Sequence, residues 1–323
     1  QVLLITNHVS EHYDAMYIGH MDTVFPDGTA EKRPFRIEGE NYYGPGVGDM
    51  KNGDLAMFHI AANLPETEKK CLNIAMVYNP DEEIGSIYSK EITDRIGCQA
   101  DHIFVMESAG KNGTRHCFAR KGSLTYDIEF QGQAAHAGFM FEVENASAVL
   151  EMGHYIVELM SLADREKDTT VNVGIANGGT ARNVVADHAK ISVEMRFRDD
   201  SERIRLKEYV NKITEGQPFV PGVKTTITMQ KETPPFIKTE EAKKYIERVR
   251  KIAEEHGIPF EEKDRGGLSD ANHLSRCGKA IVMDGMGPHG ANDHSEKEYG
   301  YIGSVEPCVK LHLAILNDML NKQ

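Results

Sequence analysis

The chain has 323 residues, a net charge of -13, 40% hydrophobic and 27% charged residues, proportions of an ordinary globular enzyme large enough for two domains. The acidic balance, with no lysine or arginine block, argues against a nucleic-acid partner. No apolar run approaches the ~18 residues that a membrane-spanning helix needs.

Residues 1–119 read as the first part of an α/β domain. The run begins at Gln1 with Val2-Leu3-Leu4-Ile5 as a strand, so a further N-terminal piece is expected. Ala15 to Gly19 makes a second strand, ending at His20-Met21-Asp22-Thr23. Gly44-Pro45-Gly46-Val47-Gly48 is a turn, followed by Asp49 and an apolar helix through Leu64. Two more buried strands, Leu72–Tyr78 and His102–Met106, deliver Asp81-Glu82-Glu83 and Glu107 to their C-terminal ends. Strands alternating with helices imply a mainly parallel sheet covered on both faces. Such sheets bind ligands beyond their strand ends.

Residues 120–231 change character and read as an inserted α+β module. Leu124, Tyr126, Ile128 and Phe130 alternate with polar residues, and Val149, Met152, Ile156 and Leu159 follow at helical spacing. Strands at Val171–Ile175 and Ile191–Phe197, a helix from Glu202 to Ile213 and a strand from Val223 to Met229 complete a βαββαβ order with an antiparallel sheet. Residues 232–323 return to the first pattern: an amphipathic helix through Ala242, Ile246, Val249 and Ile252, and a short strand at Ala280–Met283. A Gly-, His- and Asp-rich loop from Gly285 to Glu298 then leads to a final helix, Val305–Leu320.

Taken singly, the polar strand ends are ambiguous. Three adjacent carboxylates at 81–83 suit a solvated loop as well as a cation site, Asp49 could simply cap its helix, and His20-x-Asp22 could be a surface coincidence. The Gly44-x-Gly46-x-Gly48 turn lacks the spacing of a dinucleotide loop and the lysine of a phosphate loop. Five strand-end segments together carry His20, Asp49, Glu83, Glu107 and His294. Two imidazoles and three carboxylates suit one or two divalent ions, zinc favoured by the histidines, and a shared carboxylate would make two adjacent sites. Five cysteines, Cys71, Cys98, Cys117, Cys277 and Cys308, form no CxxC pair. That suits a reducing, cytoplasmic compartment and argues against a thiolate zinc site.

Gly19-His20-Met21-Asp22-Thr23-Val24, Gly48-Asp49-Met50-Lys51-Asn52-Gly53, Asp81–Ser86, Glu107, Ala135-His136-Ala137-Gly138 and His294-Ser295-Glu296, in this order, resemble the M20 family of zinc peptidases and amidohydrolases. The resemblance covers essentially the whole chain. It implies a two-sided α/β zinc-peptidase catalytic domain with an inserted α+β (βαββαβ) lid and dimerisation domain. Asp49 would bridge two divalent ions, zinc by preference and cobalt or manganese as alternatives. His20 and Glu107 would complete one site, Glu83 and His294 the other. Asp22 would orient His20, and Glu82 would be the general base that activates the metal-bound water. His136 resembles the family histidine that helps hold the oxyanion, often in the partner subunit. Asn183 and Arg196 resemble family residues that contact substrate, and Gly267 belongs to a pocket-lining loop, where Leu268 departs from the small residue expected.

Glu107, rather than aspartate, goes in this family with carboxypeptidases and acylamino-acid hydrolases. Asp22-Thr23-Val24-Phe25-Pro26, Arg33-Pro34-Phe35 and Tyr43-Gly44-Pro45-Gly46 are closest to the glutamate carboxypeptidase branch, whereas Gln230-Lys231-Glu232-Thr233 replaces the arginines that branch tends to carry. The expectation is a homodimeric, metal-dependent hydrolase cleaving a peptide or amide bond beside a free carboxylate, with small peptides or N-acyl amino acids as substrates. The alternatives are a dipeptidase or tripeptidase of the same family, or a catalytically silent binding relative. A silent relative would be expected to lose Glu82 or a metal ligand, and none is lost.

Overall fold

The strands that carry the candidate residues are hydrophobic on both faces, and the computed structural model, which describes residues 1–321, buries both. The chain divides into two compact units: Gln1–Arg120 together with Phe236 onward, and Lys121–Pro235.

In the first unit a five-stranded sheet has the order Leu3–Thr6, Ile74–Asn79, Tyr13–His20, Ala100–Val105, Ile281–Met283. Four strands run parallel, and Leu3–Thr6 lies antiparallel on the edge beside Ile74–Asn79. Alternate side chains of one strand go to opposite faces. Ala15 and Tyr17 therefore pack with Met57, Ile60, Val249, Ile252, Ile315 and Leu316. Met16 and Ile18 pack with Ile96, Ile103, Leu274 and Val282 on the other side. Helices Asn52–Asn63, Glu240–Glu255 and Val305–Leu320 supply the first layer, and Lys90–Gly97 with Ala271–Leu274 supplies the second. No helix is long and apolar enough to cross a membrane among the described residues. All five cysteines are free thiols.

A second sheet, Arg36–Glu38, Asn41–Tyr43, Tyr299–Tyr301, Gly287–Ala291 and Ser108–Ala109, is not anticipated by the sequence pattern. It corrects the reading of Gly285–Glu298 as loop throughout. Gly287–Ala291 is a strand although glycine disfavours strands, because neighbouring backbone comes too close for any side chain. A Cβ on Gly290 would lie 2.5 Å from the Gly48 Cα, and one on Gly287 would lie 2.2 Å from the Met106 carbonyl oxygen.

The second unit is a four-stranded antiparallel sheet in the order Thr170–Gly178, His188–Phe197, Gly122–Gln131, Lys224–Thr233. Helices Ala148–Met160 and Asp200–Glu215 cover one face. Leu124, Ile128, Phe130, Ile191, Val193 and Phe197 meet Tyr155, Leu159, Leu206 and Val210 there. The last strand runs four residues past the expected end at Met229, because a bulge between Met229 and Lys231 restores pairing with Gly122–Gln131.

Candidate active site

Five chain segments of the first unit converge at the C-terminal ends of its parallel strands. His20 is the last residue of its strand, Glu82 and Glu83 follow Ile74–Asn79, and Glu107 follows Ala100–Val105. Asp49 comes from the glycine turn and His294 from the loop after Gly287–Ala291. His20 is fully buried, the carboxylates are partly open, and His294 is the exposed member.

The distances fall into two sets around Asp49. One Asp49 oxygen lies 3.1 Å from His20 Nε2, and Glu107 Oε1 lies 3.5 Å from that nitrogen. The other Asp49 oxygen lies 3.1 Å from His294 Nε2, with Glu83 Oε2 at 3.2 Å. Donors bound at about 2.0–2.1 Å in a tetrahedral zinc site stand roughly 3.3 Å apart, so both sets match the spacing of an ion's ligands. The donor atoms of His20, Asp49 and Glu83 lie within 4.8 Å of one another, and so do those of His20, Glu82 and Glu107. Glu83 Oε1 is buried without a hydrogen-bond partner, an expensive arrangement for a carboxylate with nothing else to bind.

Electrostatics point the same way. Burial and the neighbouring Asp49 charge push Glu83 up to about 7 and hold Glu107 above the usual carboxylate range. Burial, then Glu107 and Asp270, raises Glu82 well above that range. Burial alone would lower His20, but the Asp22, Asp49 and Glu107 carboxylates outweigh it and favour the imidazolium. A crowd of anions that takes up protons at this depth is a crowd short of positive charge. Two divalent cations would bring the five carboxylates (Asp22, Asp49, Glu82, Glu83 and Glu107) to a net charge of about -1 with both imidazoles neutral. The residues fit the ions.

The simpler roles open to these residues fare less well. Helix Asn52–Asn63 has no side-chain cap, so Asp49 does not serve there as one. The glycine turn does bind an anion, but an internal one: Gly46 N–H, Gly48 N–H and Asp49 N–H donate to the buried Glu298 carboxylate at 2.8, 2.8 and 3.0 Å. Gly46 sits at φ 74, where a Cβ would also lie 2.3 Å from Thr23 Cγ2. Asp22 Oδ1 lies 3.4 Å from His20 Nδ1, and the same carboxylate accepts the Glu82 and Glu83 backbone N–H groups at 3.2 and 2.9 Å. It thus holds the loop carrying Glu82 and Glu83 as well as facing the histidine.

Gly267 lies in the same unit, and the Gly267 and Leu268 carbonyls accept from Arg120 Nη1 at 3.2 and 3.1 Å. His136, Asn183 and Arg196 belong to the second unit. His136 is exposed on a two-residue strand paired with Val184–Val185, and the Asn183 carbonyl accepts from Ala137 N–H there at 2.9 Å. Arg196 bonds Glu194 on its own strand at 2.7 Å. Glu298 and Asp270 escape the sequence reading altogether. Only the acidic residue four places after His294, and the acid closing Gly266–Asp270, hint at them.

Comparison with known proteins identifies the family. The model of peptidase family M20/M25/M40 matches residues 16–318. Carboxypeptidase G2 of Pseudomonas sp. (strain RS-16) is 26% identical over 308 residues, covering 94% of this chain and 73% of that protein. A succinyl-diaminopimelate desuccinylase of Halorhodospira halophila is 24% identical over 323 residues, covering 94% and 82%. Among solved structures, a Staphylococcus aureus tripeptidase superposes with a TM-score of 0.80 at 21% identity, over 99% of this chain and 84% of that one. A Bacillus subtilis dinuclear metal-binding peptidase superposes with a TM-score of 0.73 at 12% identity, over 100% and 86%. The chain is an enzyme of the metallopeptidase and amidohydrolase kind and belongs to peptidase family M20/M25/M40.

Proposed function

We propose that this protein hydrolyses a peptide or amide bond next to a free carboxylate, in the manner of a carboxypeptidase or an N-acyl-amino-acid deacylase. The observation that carries the reading is Asp49, whose two oxygens each face a histidine at 3.1 Å. Around it, His20 and Glu107 would hold one divalent ion and Glu83 and His294 the other, with zinc the ion that fits two imidazoles best. Such ions, when bound, supply Lewis-acid polarisation and ease deprotonation of water.

The chain's own contribution begins with Glu82. Placed beside His20 and Glu107, its carboxylate suits a group that takes a proton from the attacking water and returns it to the leaving nitrogen. Asp22 fixes Glu82 through its backbone N–H. Glu82 stands 3.9 Å from His20 Nε2, beside the proposed ligands. His136, Asn183 and Arg196 are proposed as substrate-contacting residues of the second unit on motif resemblance, and the second unit as the dimerisation unit. Similarity to carboxypeptidase G2 and to a desuccinylase supports scission beside a carboxylate-bearing residue.

The test is a panel of N-acyl amino acids, C-terminal-glutamate dipeptides and free tripeptides, assayed with chelator and with zinc restored. Zinc-dependent release of an amino acid from the first two classes is expected. Hydrolysis of tripeptides alone would replace this reading with a tripeptidase, and no hydrolysis by metal-replete protein would overturn it.

A further inference from the structure

We infer that Asp270, backed by His273 and Asp94, is a positioning residue for the loop that presents Glu82 and Glu83. The inference rests on the roles proposed above for those two residues. Asp270 is 4% exposed, and its carboxylate accepts from Ser86 Oγ at 2.5 Å and Asn79 Nδ2 at 2.7 Å. His273 Nε2 donates to it at 2.9 Å, and His273 Nδ1 faces Asp94 Oδ1 at 2.5 Å. The row runs from the partly exposed Asp94, which also takes Lys90 Nζ, to a buried point behind the catalytic loop.

Asn79 and Ser86 are the two ends of that loop. Asn79 Oδ1 accepts from Asp81 N–H at 3.2 Å, Asn79 Nδ2 donates to Ser86 Oγ at 2.9 Å, and Ser86 N–H donates to the Asp81 carbonyl at 2.7 Å. The loop is therefore a closed ring, and both of its ends are tied to Asp270. Ser86 is held at φ 55, a left-handed conformation that is unfavourable for a serine and is kept only when its surroundings insist. Glu82 and Glu83 lie on the far side of the ring, with their backbone N–H groups on Asp22. Asp22 grips the loop from the front and Asp270 from behind.

The charge state is consistent with a built anchor. Burial alone would strip His273 of its proton, but the Asp270 and Asp94 carboxylates raise it to about 9, so it donates from both nitrogens at neutral pH. Burying two charged groups, Asp270 and His273, is unfavourable before pairing. Neutral side chains could close a ring of this size without that cost. The ions add a fixed reference for the loop, and sub-ångström placement is what a proton-transferring carboxylate requires.

The test uses metal-loaded protein carrying Asp270→Asn, His273→Ala or, at the exposed end, Asp94→Asn. Misplacement by about 1 Å costs on the order of 100-fold in turnover, so kcat should fall roughly that far in Asp270→Asn with KM within a few-fold of wild type. Metal content should stay at the wild-type value. Amide hydrogen exchange over residues 79–88 should quicken at least ten-fold while the rest of the sheet keeps its protection. Added imidazole should restore part of the turnover lost in His273→Ala. Unchanged exchange and kcat in Asp270→Asn and Asp94→Asn would overturn the inference, and so would a loss of turnover that only tracks lost metal or folded fraction. Glu82→Gln run in parallel separates the two claims. Full activity in that variant removes the proposed base, whereas quickened exchange in 79–88 supports the anchor whatever the base proves to be.

Discussion

Replacing Glu298 by alanine removes the acceptor of three backbone N–H groups at once. Gly46, Gly48 and Asp49 all donate to this buried carboxylate, at 2.8 to 3.0 Å. A hydrogen bond to a charged group contributes about 1.5–3 kcal/mol, and a buried donor left unsatisfied costs about 1–3 kcal/mol. Three such bonds to one group are not additive, and water can enter the space a glutamate leaves. A net loss of about 4 kcal/mol is the working figure, which lowers Tm by roughly 10 °C at the 2–4 °C per kcal/mol typical of domains this large. Glu298→Gln keeps a carbonyl for some of the donors and should lose about half as much. Because Asp49 N–H is one of the three, the damage extends to the proposed metal centre. Removing an outer-shell partner weakens metal binding by about 10–100-fold, and Glu298→Ala should show that loss. Calorimetric unfolding and competitive zinc titration of wild type and both variants provide the comparison. A Glu298→Ala protein that unfolds within about 2 °C of wild type and binds zinc as tightly would refute the reasoning.

Three further outcomes follow from the same geometry. Glu82→Gln should keep its metal and lose about 10²–10⁴-fold in kcat, the contribution of a positioned general base, measured on whichever substrate of the panel wild type cleaves. Zinc binding at neutral pH should release protons. Metal-free His20 is held as the imidazolium by Asp22, Asp49 and Glu107, against burial, and a bound ion must displace that proton. The sign for stability is opposite. The stabilisation from protonated His20 is complete below about pH 6.5 and is lost as pH rises towards the raised folded-state value. Metal affinity measured calorimetrically in buffers of different ionisation enthalpy should therefore strengthen with pH, and zero proton release would sink the assignment. Gly290→Ala should fail to fold, or lose several kcal/mol, because its Cβ would lie 2.5 Å from the Gly48 Cα and 2.6 Å from Ser108 Oγ. A soluble variant with wild-type unfolding would contradict the close backbone approach.

Much of this molecule is legible in its sequence, and the reasons differ by element. His20, Glu83 and Glu107 stand out because each ends or follows an unmistakably apolar strand, and a parallel sheet brings such ends together. The second unit shows itself by strict alternation, from Leu124 to Phe130 and from Ile191 to Phe197. Gly287–Ala291 hides because its strand is specified by what its glycines leave room for, and propensity cannot express that. Arg36–Glu38 and Asn41–Tyr43 are three residues each, too short for a period to register. Glu298 and Asp270 hide for another reason. The turn and loop groups they hold lie about 250 and 190 residues away along the chain, and no local pattern distinguishes an internal anchor from a solvated acid. The proposed metal ligands are chemically conspicuous, while the carboxylates that hold their loops in place are conspicuous only in three dimensions.

The central claim is that Asp49 bridges two ions. Elemental analysis of chelator-stripped protein re-equilibrated with limiting and then excess zinc tests it most directly. Two zinc ions are expected per wild-type chain, two in Glu82→Gln, and loss of both in Asp49→Ala. One ion or none in the wild type, or two retained in Asp49→Ala, would contradict it.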